Sequence, residues 1–183
     1  MGEIRAALPV KLFVSVLSSL PELVPEVEHR LAETFGVIDG RSEAFPFDQT
    51  RYYDEEMGSP IQRVFLTFRD LILPLEIASA KKKTNEIESR FARECTRVAR
   101  PVNLDPGYLD QAKIVLASTK DFSHRVIISE GIYAEVTMHF QAGEWRSWPW
   151  TFPDFRTDRY NRFFSDLRRH YRAQLREHGM IRS

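Results

Sequence analysis

Between Val10 and Ser18 the chain reads VKLFVSVLS, a run of β-branched and aromatic residues that predicts a buried strand. Leu23, Val24, Val27, Leu31 and Phe35 then recur on one helical face, and Gly36 closes that helix. A polar-aromatic stretch, RSEAFPFDQTRYYDEEMGSP, follows, with a short strand expected around 43–47. IQRVFLTFRD alternates as a strand over 61–69. Beyond Pro74, residues Ile77, Ala80, Thr84, Ile87 and Phe91 fall three and four apart, so 74–93 reads as mostly helix. Thr84 is an alternative cap for a second, shorter helix there. From residue 97 the period changes: RVARPVNL, AKIVLAST, HRVIISE and IYAEVTMHF are four strand candidates separated by turn residues. Within PVNLDPGYLD, Pro106 and Gly107 suit the two corners of a type II turn, with Asp105 bracing it. Tyr160, Phe163, Phe164, Leu167, Tyr171 and Leu175 form the apolar stripe of a terminal helix from Thr157.

This order, β-α-β-β-α-β followed by strands and a helix, predicts an α+β fold with a ferredoxin-like start. A C-terminal antiparallel meander and the terminal helix would extend it, with the helices on one face of the sheet. The expected organisation is one domain over 1–183, since no repeat, low-complexity tract or composition break divides the chain.

Composition narrows the function classes. Lys plus Arg and Asp plus Glu each number 26, so the formal net charge is +0. That balance argues against a general nucleic-acid coat or an anionic-membrane binder. The single cysteine, Cys95, excludes an internal disulfide and a cysteine-built zinc site, and fits a reduced cytoplasmic location. KLFVSVLSSL resembles a short signal segment, but Pro21 and Glu22 follow it and no small-x-small site is present, so it reads as the first strand. The phosphate-loop, dinucleotide, HExxH and nucleophile-elbow motifs are all missing.

The clearest positive pattern is IYAEVTMHF. Tyr133, Glu135, Thr137 and His139 alternate with apolar residues and are expected to share one face of a strand. A solvated sheet face is the commonest cause of such alternation, yet these four side chains suit a hydrogen-bonded ligand better than Lys, Glu and Ser would. Just upstream, TKDFSHR gathers Lys120, Asp121, His124 and Arg125. A turn at Ser129, Glu130 and Gly131 makes this segment a hairpin partner of the Glu135 strand, bringing His124 or Arg125 towards His139 or Thr137. A carboxylate with histidine and cations nearby transfers protons, binds anions or holds a metal; the plainer reading is a cross-strand charge network. Asp105, His124, Glu135 and His139 are the only reasonable pool of metal ligands, and their spacing is not diagnostic, so no metal is assigned and the cofactor stays open.

EWRSWPWTFPDFR holds all three tryptophans, and reads either as a strap that packs the last helix onto the sheet or as a stacking platform. The arginines of the terminal helix, like Lys81, Lys82 and Lys83, read as solvated helical faces, with Arg162 and Asp166 at ion-pair spacing.

The blocks FPFDQTRYYDEEMG, KTNEIE, VNLDPGYL, ASTKDFSHR, GIYAEVT and WTFPDF together resemble a family of small prokaryotic proteins classed as a domain of unknown function. The resemblance spans nearly the whole chain. Members often carry a GTP-binding label, which neither a phosphate loop nor an N-K-x-D guanine motif supports here. What the resemblance implies is a shared fold and a set of motif polar residues that overlaps the groups found by spacing.

The resulting expectation is a cytoplasmic protein that binds a small anionic ligand, such as a nucleotide or phosphorylated metabolite, in a polar pocket on the sheet; whether it also processes that ligand stays open. Glu135, His124 and Asp105 are the candidate catalytic groups. Asn103, Tyr108, Lys113, Lys120, Arg125, Tyr133, Thr137 and Arg156 are the candidate ligand-binding groups. The alternative is a non-catalytic RNA- or protein-interaction module using the arginine-rich helix and the tryptophan strap. An edge strand or the tyrosine-rich 45–58 segment is the place for a homodimer contact. No membrane partner is expected.

Overall fold

All nine residues of β1 (Val10–Ser18) are buried. The strand lies inside the sheet, with antiparallel neighbours on both sides: β4 (Gln62–Ile72) and β5 (Asn103–Leu109). Its even residues Leu12, Val14 and Val16 pack with Val27 and Leu31 of α1 (Val24–Phe35) and with Ile77, Ile87 and Phe91 of α3 (Ile77–Glu94). Phe13 points the other way, into Phe164, Leu167 and Tyr171 of α4 (Asn161–Glu177). Helices therefore cover both faces, which corrects the one-sided arrangement expected from the sequence. The reason is visible in β1, whose apolar residues occupy both phases of the alternation and leave no solvated face.

The structure is a computed structural model that describes residues 2–182. Its nine-stranded sheet runs β2 (Ile38–Arg41), β4, β1, β5, β6 (Lys113–Ser118), β8 (Ile132–Gln141), β7 (Val126–Ser129). Two short strands lie off this path: β3 (Phe45–Pro46) pairs with β4, and β9 (Glu144–Ser147) pairs with β8. Every pairing among the described residues is antiparallel. The helix expected over 74–93 is one continuous helix after a 3-10 turn at Pro74–Glu76, and the Thr84 hydroxyl donates to the Lys81 carbonyl at 3.0 Å rather than capping a new helix. One turn of helix, α2 (Asp54–Met57), interrupts the polar-aromatic stretch. The last helix starts at Asn161, four residues later than its stripe suggested, behind a 3-10 turn at Pro153–Arg156. Among the described residues no helix is long and apolar enough to cross a membrane.

The largest departure from the sequence reading is at Asp105-Pro106-Gly107. These residues make no turn; β5 runs straight through them, and residues 97–102 precede the strand instead of forming it. Gly107 has no left-handed backbone and is needed for space. A Cβ there would lie 2.5 Å from Phe13 Cζ, 2.7 Å from Leu116 Cδ2 and 2.7 Å from the Val115 carbonyl oxygen.

Candidate functional site

β5 and β6 part company at the Pro106 end. Their pairing covers only Gly107–Leu109, so Asn103–Pro106 has no strand on that side. Helix α3 takes the place of the strand. Lys81 Nζ donates to the Leu104 carbonyl at 2.9 Å, and the Leu104 N–H donates to Glu88 Oε1 at 2.7 Å. Pro106 shares the phase of Leu104, so the N–H it lacks is one that would have faced the same opening. A proline inside a strand is tolerated here because there is no ladder to complete.

The opening leads into a cavity of about 740 Å³. Its walls are β5, α3, the end of β6, the 118–125 loop, the 47–53 segment and the turn at 152–155. Three ionic groups meet there. In the first, Lys81 Nζ lies 3.1 Å from Asp105 Oδ1, and the Asn103 amide donates to Asp105 Oδ2 at 2.6 Å. Arg100 donates to Asn103 Oδ1 and to Glu88 Oε2, the latter at 3.1 Å. Burial pushes the Asp105 carboxyl up, but the Lys81 and Arg63 charges and the two hydrogen bonds outweigh it and hold the group below the usual carboxylate range. Glu88 goes the other way, because burial dominates its surroundings. Burial and the Asp105 charge push the Tyr53 phenol up to about 12.

The second group centres on Arg63, 5% exposed on β4. It donates to the Ser15 hydroxyl and pairs with Asp154 Oδ2 at 3.0 Å, which also accepts the Tyr160 hydroxyl at 2.9 Å. Phe47 and Phe155 flank its guanidinium at 5.1 and 5.3 Å. Arg63 Nε has no partner.

The third group is built on β8. Glu135 accepts Arg125 Nε at 2.8 Å, with His124 Nε2 at 3.1 Å and the Thr137 hydroxyl at 3.2 Å. Arg125 also donates to Ser118 Oγ and the Lys120 carbonyl, tying the loop to the strand. Lys120 Nζ reaches the Tyr52 hydroxyl at 2.8 Å across the mouth. The β7–β8 hairpin is present as expected, but its register sets Val126 opposite Ala134, so Arg125 and His124 meet Glu135 and not His139 or Thr137.

Alternation along β8 is broken by a bulge. Ile114 pairs with Met138 and Val115 with Val136, leaving Thr137 as the extra residue. Met138 thus joins the buried α4 face while Val136 is 36% exposed, and His139 falls out of phase with Glu135. The bulge also anchors the tryptophan strap: the Thr151 hydroxyl donates to the Thr137 carbonyl at 2.6 Å and accepts the Trp148 N–H at 2.8 Å. His139, Trp148, Trp150 and His124 stack in sequence, with ring centroids 4.4, 5.3 and 5.7 Å apart. Trp145 and Phe155 are buried against α4, so one segment serves as strap at its ends and as a stack in its middle.

Of the residues expected from the sequence, Asn103, Asp105, Lys120, Arg125 and Glu135 line the cavity, and His124 and Thr137 support Glu135. The other four, like His124 and Thr137, do not line it. Tyr108 sits one residue past Gly107 in a strand, so it points to the opposite face and packs with the α1–α3 core. Lys113 pairs with Asp110 at the far end of β6. Tyr133 and Arg156 lie outside the lining. Arg63, Lys81, Glu88, Arg100 and Asp154 were missed as site residues. Lys81 is 4% exposed, in contrast to the solvated run expected; it lies in phase with Ile77 and Thr84, and that phase was the available signal. Among the described residues no group of three His, Cys, Asp or Glu is placed to hold a metal. Several arginines in or just before the terminal helix have structural partners: Arg159 with Asp48, Arg169 with Asp166, and Arg168 over the Phe140 ring at 3.7 Å.

A mixed α/β protein with a polar cavity at a gap in an antiparallel sheet is the class these features define. The chain belongs to the family described as Domain of unknown function (DUF4416), whose sequence profile matches residues 8–171. No curated protein and no solved structure matches it.

Proposed function

We propose that the cavity binds a small anionic ligand bearing a planar or hydroxylated portion, with a nucleotide or phosphorylated metabolite as the leading class. The observation that carries this reading is the distribution of charge. Arg63, Lys81, Arg100 and Arg125 each face a carboxylate within ion-pair distance, whereas Lys120 at the mouth has none among the described residues and rests on a neutral tyrosine. Lys120 is the cation left over for a ligand's anion. Asp105, Asn103 and Glu135 supply acceptors for its hydroxyl or amino groups, and Phe47, Tyr53, Phe122 and Phe152 supply apolar and aromatic wall. Glu135 with His124 is the pair available for proton transfer should the ligand be processed.

A guanine-specific site is not part of the proposal. A cytoplasmic setting is, on the strength of the lone cysteine. The strand order β2-β4-β1-β5, with α1 and α3 on one face, supports describing the first half as ferredoxin-like.

Thermal unfolding of the intact chain against nucleotides, sugar phosphates and inorganic phosphate tests the reading. A ligand at 100 times its Kd stabilises the native state by about 2.7 kcal/mol. At least one compound is expected to raise Tm, and Lys120→Ala, at an exposed position, is expected to reduce that rise while leaving the unliganded Tm in place. A panel with no stabilising member contradicts the proposal.

A further inference from the structure

Asn103 and Asp105 lie two residues apart in β5 and share one face, in the part of the strand that β6 no longer pairs. Among the described residues each Asp105 oxygen accepts one protein donor, Lys81 Nζ at 3.1 Å on Oδ1 and the Asn103 amide at 2.6 Å on Oδ2. An ionised carboxylate offers about four acceptor positions, so about one on each oxygen is left. The other two carboxylates of the wall with close cationic partners are shut away: Glu135 has three donors and is 1% exposed, and Asp154 is 3% exposed. Asp105 lines the same cavity with its side chain 28% exposed. Arg100 donates to Asn103 Oδ1, which turns the amide N–H towards Asp105, and Lys81 is anchored on the Leu104 carbonyl. The free positions are therefore fixed in place before any ligand arrives.

The surrounding charge decides which donor suits them. Burial opposes ionisation of Asp105, yet the Lys81 and Arg63 charges keep it ionised. Those charges cancel in pairs, Lys81 with Asp105, Arg100 with Glu88 and Arg63 with Asp154. A cationic amine meets Lys81 as well as Asp105 and finds no net attraction. A neutral hydroxyl gives up little solvation and gains a charge-assisted hydrogen bond. One free position on each oxygen matches hydroxyls on neighbouring carbons. We infer that Asp105 is the specificity-determining residue of the cavity and accepts hydrogen bonds from two adjacent hydroxyls of a sugar. The ligand class narrows to sugar phosphates and ribose-bearing nucleotides. This inference rests on the reading of the cavity as an anion site, with the phosphate at Lys120 and the sugar towards Asp105.

Titration calorimetry of the intact chain tests this with matched pairs: ribonucleoside against deoxyribonucleoside monophosphates, ribose phosphate against deoxyribose phosphate, and glucose phosphate against deoxyglucose phosphate. Inorganic phosphate is the probe for the anion site alone. At least one fully hydroxylated compound is expected to bind, with its deoxy counterpart weaker by about 10- to 100-fold, the range for losing a hydrogen bond to a charged group. Asp105→Asn keeps the size and removes the charge, and is expected to bring the two Kd values of that pair within about 3-fold. Because it leaves Lys81 unpaired, Asp105→Asn combined with Lys81→Met, which strands no buried charge, carries the comparison if the single variant does not fold. Equal affinity within every pair overturns the inference and leaves the anion site standing. Binding of inorganic phosphate but of none of the sugars has the same consequence, as does a preference that survives in the folded Asp105 variant. No binding by any compound removes the anion site and the inference together.

Discussion

Replacing Lys81 with methionine removes a charge that α3 delivers through the gap in the sheet. The side chain is 5% exposed and holds two acceptors, Asp105 Oδ1 at 3.1 Å and the Leu104 carbonyl at 2.9 Å. Methionine fills similar volume, so packing is kept and the loss is electrostatic. Breaking one side of a buried ion pair costs about 3–5 kcal/mol. Asp105 keeps its bond from Asn103 and its side chain is 28% exposed to the cavity, which sets the expectation at the lower end, about 3 kcal/mol. The pH dependence follows from the depressed carboxyl of Asp105. Its stabilising contribution is complete above the unfolded value of about 3.9 and is lost as pH falls through the folded value. In Lys81→Met the depression shrinks, so acid loss begins at higher pH, and the gap between the two proteins narrows once both carboxyls are protonated. Urea unfolding near neutral pH and again near pH 3 measures both effects. A neutral-pH difference below about 1 kcal/mol at unchanged m-value, or a gap that persists in acid, refutes the reasoning.

Gly107→Ala should destabilise by about 1–3 kcal/mol or more, because one of the atoms met by the new Cβ is a backbone oxygen that cannot swing aside. A cycle of Arg125→Met and Glu135→Gln, read by denaturant midpoints, should give a coupling energy of about 2 kcal/mol, well above that of an exposed pair. Thr151→Val removes the hydroxyl that joins Trp148 to the Thr137 carbonyl; it should cost about 1 kcal/mol and red-shift tryptophan emission as the strap loosens.

The elements with strong periodicity were legible. β1, α1, the 61–69 strand, α3 and the stripe of α4 follow directly from apolar spacing, because burial of one face or two is written in the pattern itself. Pro106-Gly107 was misread since the residue pair that makes a turn also suits a strand that loses its neighbour; only the departure of β6 and the crowding by Phe13 and Leu116 tell the two apart. The bulge at Thr137 was invisible for the same reason: alternation in IYAEVTMHF is continuous on paper, and the register of β6 breaks it. Glu135 was found through its alternation with apolar residues along IYAEVTMHF, Arg125 through the polar run TKDFSHR, and Asp105 beside Asn103 in the stretch read as a turn. Lys81 was passed over because it opens a run of three lysines, and Arg63 and Asp154 because each adjoins aromatic and apolar residues; a buried charge shows in such settings only when its phase is followed as strictly as that of a leucine.

The proposed function stands on the cavity between β5 and β6 receiving an anion at Lys120. A crystal structure of the intact chain with the compound that raises Tm most is the direct measurement. Density is expected in the cavity, with the anionic group within hydrogen-bond distance of Lys120 Nζ and a polar group against Asp105 or Glu135. A ligand seated elsewhere, or one whose charged group avoids Lys120, contradicts the proposal.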